Sequence, residues 1–139
     1  MPAHSAHLRY TTEGDGDVVD LTADVAQVVA EAGSVTSGIA SVFVPGATAA
    51  VTTMENEPGN VLDLRALLDR LVPPGDAYQH NSLNHDTNAH AHIRAALVGP
   101  SETIPIEAGR LLLGTWQQIV LIDFDDRPRQ RTVVVQVHA

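Results

Sequence analysis

Neither cysteine nor lysine occurs in this chain of 139 residues. Without cysteine there are no disulfides, no thiolate nucleophile and no sulfur-ligated zinc. Without lysine there is no Schiff base and no amine nucleophile, since all eight basic residues are arginine. Cationic charge is scarce altogether. A net charge of −9 argues against a nucleic-acid partner, because phosphate binding needs a concentrated cationic face. No apolar run approaches the roughly 20 residues that a membrane helix needs, so no membrane association is expected. The N-terminal Met-Pro-Ala-His-Ser-Ala-His has no basic segment leading into an apolar core, which makes a cytoplasmic protein the expectation.

What is present is a chain that can fold. Hydrophobic residues make up 44% in periodic segments, and the length suits one domain over residues 1–139 with a real core. Chemistry concentrates between Tyr78 and Gly99. Four of the seven histidines (His80, His85, His90, His92) fall within thirteen residues, interleaved with Asn81, Asn84, Asp86 and Asn88. Imidazole is the commonest biological metal ligand and the usual proton carrier near pH 7. The remaining histidines are terminal: His4, His7 and His138.

Around this segment the pattern is mixed α and β. Leu8 to Thr12 reads as a strand, and the acidic Glu13-Gly-Asp-Gly-Asp17 as a solvated hairpin turn rather than a calcium loop, since the other ligands of such a loop are missing. Asp20 stands at an N-cap position before Leu21, Val25, Val28, Val29 and Ala32 at helical spacing, with Gly33 as the stop. Gly38 to Val44 and Ala47 to Met54 read as strands, the second so rich in small residues that something must approach its backbone closely. Asn60 is positioned to cap a helix bearing Val61, Leu64, Leu67, Leu68 and Leu71, which ends before Pro73-Pro74. A short helix over Ala89 to Val98 follows Asn88. The remainder reads as a β meander: Thr103 to Ile106, Arg110 to Leu113, an apolar strand from Trp116 to Phe124, and Thr132 to His138 running back beside it. The expected class is α+β, mostly antiparallel sandwich-like sheets with two or three helices.

Several residues are candidates for function. His80, His90 and His92, with His85 as a fourth, have the spacing of a three-histidine zinc site with an open position. One condition applies. Residues i and i+2 share a side on a strand but lie about 200° apart on a helix, so His90 and His92 converge only if the backbone there is extended. A loop of hydrogen-bonding histidines is the competing reading. Glu55 and Glu57 follow a strand and suit a general base or metal ligand, or a polar strand end. Asp63, three residues after Asn60, reads locally as a helix-terminal charge. Trp116, the single tryptophan, reads as a core anchor. Gln117 could orient a ligand, though nothing local requires it.

Taken in order, Glu55, Asp63, Tyr78-x-His80, Asn88-x-x-x-His92, Gly99-x-Ser101, Pro105 to Gly109 and Gly114-Thr-Trp-Gln117 resemble the YjbQ family, the secondary thiamine-phosphate synthase family, from about Leu8 to Val137. The resemblance implies a small α+β sandwich that forms a homotrimer with polar pockets near subunit boundaries. It also implies a weak thiamine-phosphate-synthase-like transferase activity, joining a pyrimidine pyrophosphate to a thiazole phosphate. This chain has Gly46-Ala47-Thr48 where many members carry His-Thr-Thr, and Met54 where many carry Asn. His85 and His90 are the residues placed to compensate.

Two functions follow as expectations. One is an enzyme with a His-rich pocket, His80, His85, His90 and His92 as ligands of a divalent metal such as zinc, and Glu55 with Asp63 as acid/base pair. The other is a non-enzymatic trimer that binds a metal ion or a small anionic metabolite without turnover.

Overall fold

In the computed structural model, which describes residues 4–75 and 77–139, two antiparallel sheets pack face to face. The elements in order are β1 (His4–Thr12), β2 (Asp17–Asp20), α1 (Thr22–Glu31), β3 (Ser37–Phe43), β4 (Ala49–Met54), α2 (Pro58–Leu71), α3 (Gln79–Asn84), α4 (Ala89–Val98), β5 (Ser101–Glu107), β6 (Arg110–Leu111), β7 (Gln118–Asp123) and β8 (Arg129–His138). One sheet has the order β1-β8-β3-β5-β6 and the other β2-β7-β4. The class matches the expectation, with four helices among the described residues rather than two or three. The addition is α3, six residues with no apolar period to announce it.

The alternation of side chains decides what each sheet buries. Along β8, Val133, Val135 and Val137 point inward, and Ala40 and Val42 on β3 and Ile104 and Ile106 on β5 join them. They meet Ile119 and Leu121 of β7 and Val51 of β4 across the sandwich. Helix α1 adds Val25, Val28 and Val29 to this cluster, each worth roughly 1.5–3 kcal/mol when fully buried. The other face of β7 carries Val120 and Ile122, which form a second cluster with Ala50 of β4, Leu68 of α2, and Ala91 and Ala95 of α4. Alanines on both partners let α4 lie close to β4, which accounts for the small residues of that strand.

Three connections differ from the expected ones. Residues Glu13 to Asp17 do not close a hairpin: β1 pairs with β8 and β2 with β7, so the segment crosses from one sheet to the other. Gly14 (φ +80°) is required there, because a Cβ would sit 2.6 Å from the carbonyl oxygens of Asp125 and Arg127. Likewise β7 and β8 are not neighbours; β7 pairs with β2 and β4, while β8 lies between β1 and β3. Helix α2 is capped by Glu57, whose carboxylate accepts from the amides of Gly59 and Asn60. Asn60 instead donates its side-chain amide to the Glu55 carbonyl (2.9 Å).

Trp116 is the largest departure. It lies outside β7 in a turn and is 73% exposed. The turn is closed by its neighbour: Gln117 accepts from Gly114 N (3.0 Å) and donates to Thr53 Oγ1 (3.0 Å). Gln117 is the structural residue of that motif.

Candidate functional site

The histidine segment folds into two helices joined by a tight turn, and its asparagines do the joining. Asn81 is buried on α3; its Oδ1 accepts from the Ala89 amide at the start of α4 (3.0 Å), and its Nδ2 donates to the Gly75 carbonyl (2.9 Å). The first of these bonds satisfies an amide that the start of α4 would otherwise leave without a partner. Between the helices His85 takes a left-handed conformation (φ +51°) and is exposed. At the other end Asn88 precedes α4.

This turn sets His80 against His92. The two ring centroids are 4.5 Å apart with planes tilted by 54°. His80 Nε2 lies 3.2 Å from Asn88 Oδ1 and 3.6 Å from Asp86 Oδ2. The Thr87 amide bonds to Asp86 and holds its carboxyl below the ordinary value, with the charge of His80 adding to the effect.

Behind Asn88 stands a buried polar network. Asn88 Nδ2 donates to Asp125 Oδ1 (3.4 Å), and Asp125 Oδ2 accepts from Thr48 Oγ1 (3.0 Å) and Arg129 Nε (2.9 Å). Thr48 in turn accepts from Arg131 Nη2 (2.7 Å). Arg131 clasps Asp123 with two bonds, Nε to Oδ2 (2.7 Å) and Nη2 to Oδ1 (2.9 Å), and Thr12 donates to the same carboxylate (2.5 Å). Burial opposes ionisation at Asp125, but the amide of Asp126 and the donors from Thr48, Arg129 and Asn88 outweigh it, and the carboxyl is held at about 2. At Asp123 burial is likewise overcome, by Arg131 first and then Thr12.

His90 belongs elsewhere. It is in the first turn of α4, not in extended backbone, so its side chain departs from the helix on a different side from that of His92. The geometric condition for a three-histidine centre is therefore not met within one subunit. Among the described residues no three His, Asp or Glu side chains are gathered as a metal ion requires. His90 is buried, its Nδ1 has no hydrogen-bond partner among the described residues, and burial followed by the charge of Arg94 shifts its pKa below the ordinary histidine value. It lines a cavity of about 260 Å³ with Arg65, Arg94, Asp69 and Asp126. Arg94 is anchored there by bonds to the Val72 carbonyl and to Asp69.

Glu55 and Asp63, the expected acid/base pair, are both exposed, and neither carboxylate bonds to a histidine among the described residues. Asp63 also lies beyond the first turn of α2, so it is not the helix-terminal charge that local spacing suggests.

Sequence reasoning passed over Asp123, Asp125, Arg129 and Arg131, which read as a strand end and a turn. One signal was available. Asp123 shares its side of β7 with Ile119 and Leu121, and Arg131 shares its side of β8 with Val133, Val135 and Val137. A charge in register with a buried row needs a buried partner, and these two supply each other.

Comparisons with known proteins agree with the fold. The family model described as UPF0047 protein YjbQ-like matches residues 6–139. A UPF0047 protein of Archaeoglobus fulgidus is 38% identical over 120 residues, covering 86% of this chain and 90% of its own length. The UPF0047 protein YugU of Bacillus subtilis is 36% identical over 129 residues, covering 91% and 92%. Among solved structures, a YbjQ-like protein of unknown function from Sulfolobus solfataricus superimposes with a TM-score of 0.91 at 31% identity, covering 98% of this chain and 96% of its own. An uncharacterised YjbQ/UPF0047 protein from Clostridium acetobutylicum gives 0.85 at 38% identity, covering 96% and 99%.

Proposed function

This chain belongs to the UPF0047 (YjbQ-like) family, and from that premise we propose that it is an enzyme whose reacting groups are the imidazoles of His80 and His92. The observation that carries the reading is the 4.5 Å pairing of these rings, with His80 tied at one nitrogen to Asn88 and Asp86. A proton carrier must be held in place and still reach solvent or substrate. The His80 side chain, 35% exposed, meets both needs.

The substrate class follows from the family resemblance: a transferase of the thiamine-phosphate-synthase type. In that reaction the carbon–oxygen bond to diphosphate breaks as the thiazole nitrogen bonds to the same carbon. An imidazolium beside the leaving group stabilises the charge that develops there. A homotrimer is part of the proposal. Leu62, Leu71, Leu97 and Trp116 are each more than half exposed in the isolated subunit, which is more apolar surface than a monomer needs to show water.

The test is formation of thiamine phosphate from the pyrimidine diphosphate and the thiazole phosphate. The parent is expected to form product, and His80→Ala and His92→Ala to lose roughly 10²-fold or more, the usual contribution of general acid–base catalysis. No product from the parent, or full activity in both variants, overturns the reading.

A metal-binding trimer without turnover is the second reading, favoured by one feature of His80. A metal-bound imidazole usually turns its other N–H to a carboxylate or carbonyl, and Asn88 Oδ1 and Asp86 occupy that position at Nε2. His80 and His92 supply two ligands; a neighbouring subunit would supply the next. Zinc reconstitution, desalting and metal analysis separate the two: stoichiometric zinc without product supports binding, and product without zinc supports catalysis.

A further inference from the structure

We propose that Asp125 sets the tautomer of His80 through Asn88, so that the proton resides on Nε2 and Nδ1 is the atom that accepts or delivers a proton. The proposal rests on the reading of His80 as a reacting group, and it assigns Asn88 and Asp125 as positioning residues.

The Asp125 carboxylate takes donors on both oxygens: the Asp126 amide and Asn88 at Oδ1, Thr48 and Arg129 at Oδ2. Thr48 donates its hydroxyl hydrogen to Asp125 and accepts from Arg131 Nη2 on a lone pair. An ionised carboxylate only accepts, so the edge of the Asn88 amide that faces Asp125 must be its NH₂. That leaves the carbonyl oxygen of Asn88 facing His80, 3.2 Å from Nε2. A carbonyl oxygen also only accepts, so Nε2 must carry the hydrogen. Asp86 Oδ2, 3.6 Å from the same nitrogen, is a second acceptor and favours the same tautomer. In the neutral ring the lone pair is then on Nδ1, which makes no hydrogen bond to any described residue.

The amide of Asn88 thus works as a one-way spacer. It transmits the orientation imposed by a buried carboxylate without placing a second charge beside the imidazole. The groups that face His80 are Asp86, Asn88 and the His92 ring. Of these only Asn88 is buried and connected to the core. Asp86 is half-buried at the turn and is the weaker constraint.

Nitrogen NMR of the uniformly ¹⁵N-labelled full chain, at a pH where His80 is neutral, reads the tautomer directly. The parent is expected to show a protonated Nε2 and an unprotonated Nδ1. Asp125→Asn frees the Asn88 amide to turn over, and the population protonated at Nδ1 should rise severalfold. Asn88→Ala should give the mixed tautomers of an unconstrained imidazole, whereas Asp86→Ala should leave the parent pattern nearly intact. Asn88→Ala removes no ion pair, so it remains informative should Asp125→Asn fold poorly. A parent ring protonated at Nδ1, or a parent-like pattern in both the Asn88 and Asp125 variants, overturns the proposal. Loss of the proposed enzymatic activity is a separate outcome: the tautomer can be as inferred in a protein that turns over nothing.

Discussion

The histidine segment and the β7–β8 turn both carry dense polar chemistry, yet they spend it differently. Residues 79–92 hold four imidazoles, of which His80, His85 and His92 are exposed or half-buried. Residues 123–131 hold three carboxylates and three arginines, of which Asp123, Asp125, Arg129 and Arg131 are tied into one network. Asp123 and Asp125 are no more than 1% exposed. One region leaves nitrogen atoms available; the other encloses the carboxylates of Asp123 and Asp125 and bonds to its neighbour through Asn88. Density of titratable residues along a chain therefore says where chemistry can happen, whereas burial and register say what holds it still.

The strongest way to break that contrast is to remove half of a buried pair. Asp123→Ala strands the Arg131 guanidinium, only 11% exposed, without its bidentate partner. A broken buried ion pair costs about 3–5 kcal/mol, because an uncompensated charge stays inside. Urea unfolding should show a loss of that size, while His80→Ala, which leaves no buried charge, should cost under about 1 kcal/mol. Equal losses for the two variants would mean that the regions are not distinct in kind.

Acid sharpens the same contrast with a smaller effect. The carboxyl of Asp125 is held at about 2 against an ordinary 3.8. As pH falls below about 4 the unfolded chain takes up this proton first, and the folded chain only near 2. Stability from this group is therefore complete above about pH 4 and drains away between pH 4 and 2, on the order of 2 kcal/mol in all. Unfolding measured across that window should show the parent losing that much more than Asp125→Asn. A matching acid profile in the two proteins would remove Asp125 from its place as the fixed end of the network.

Much of this architecture was legible in the sequence. The helical spacing of Leu21, Val25, Val28 and Val29 gave α1 its buried face, and Gly33 (φ +92°) ends it as expected. The apolar run of β7 is buried on both faces, as continuous hydrophobicity implies. Strand partners were less legible, since neighbours in sequence, β7 and β8, belong to different sheets and only long-range packing decides that. The candidate site divided in the same way. His80 and His92 do meet, but across a turn built by Asn81, whose bonds to Ala89 and Gly75 no periodicity encodes. His90 separates from them because α4 begins at Ala89, which makes both His90 and His92 helical.

Trp116 supplies the smallest expected effect and the most direct test of what exposure means here. A core tryptophan removed to alanine costs about 3–5 kcal/mol, and the apolar strand that follows it makes such a role natural to expect. In the structure its ring is 73% exposed, and the turn around it is held by Gln117 bonding to Gly114 and Thr53 rather than by the indole. Trp116→Ala should therefore change the stability of the isolated subunit by no more than about 0.5 kcal/mol, as for other surface substitutions. Gln117→Ala, which leaves the Gly114 amide and the Thr53 hydroxyl without their partner, should cost more, about 1 kcal/mol. Large aromatics are enriched where proteins meet, so the indole should matter to assembly. Light scattering at dilute concentration should show about three subunit masses for the parent and a shift toward single subunits for Trp116→Ala. A stability loss of several kcal/mol in Trp116→Ala with the parent already monomeric would return the residue to the core and remove its part in the trimer.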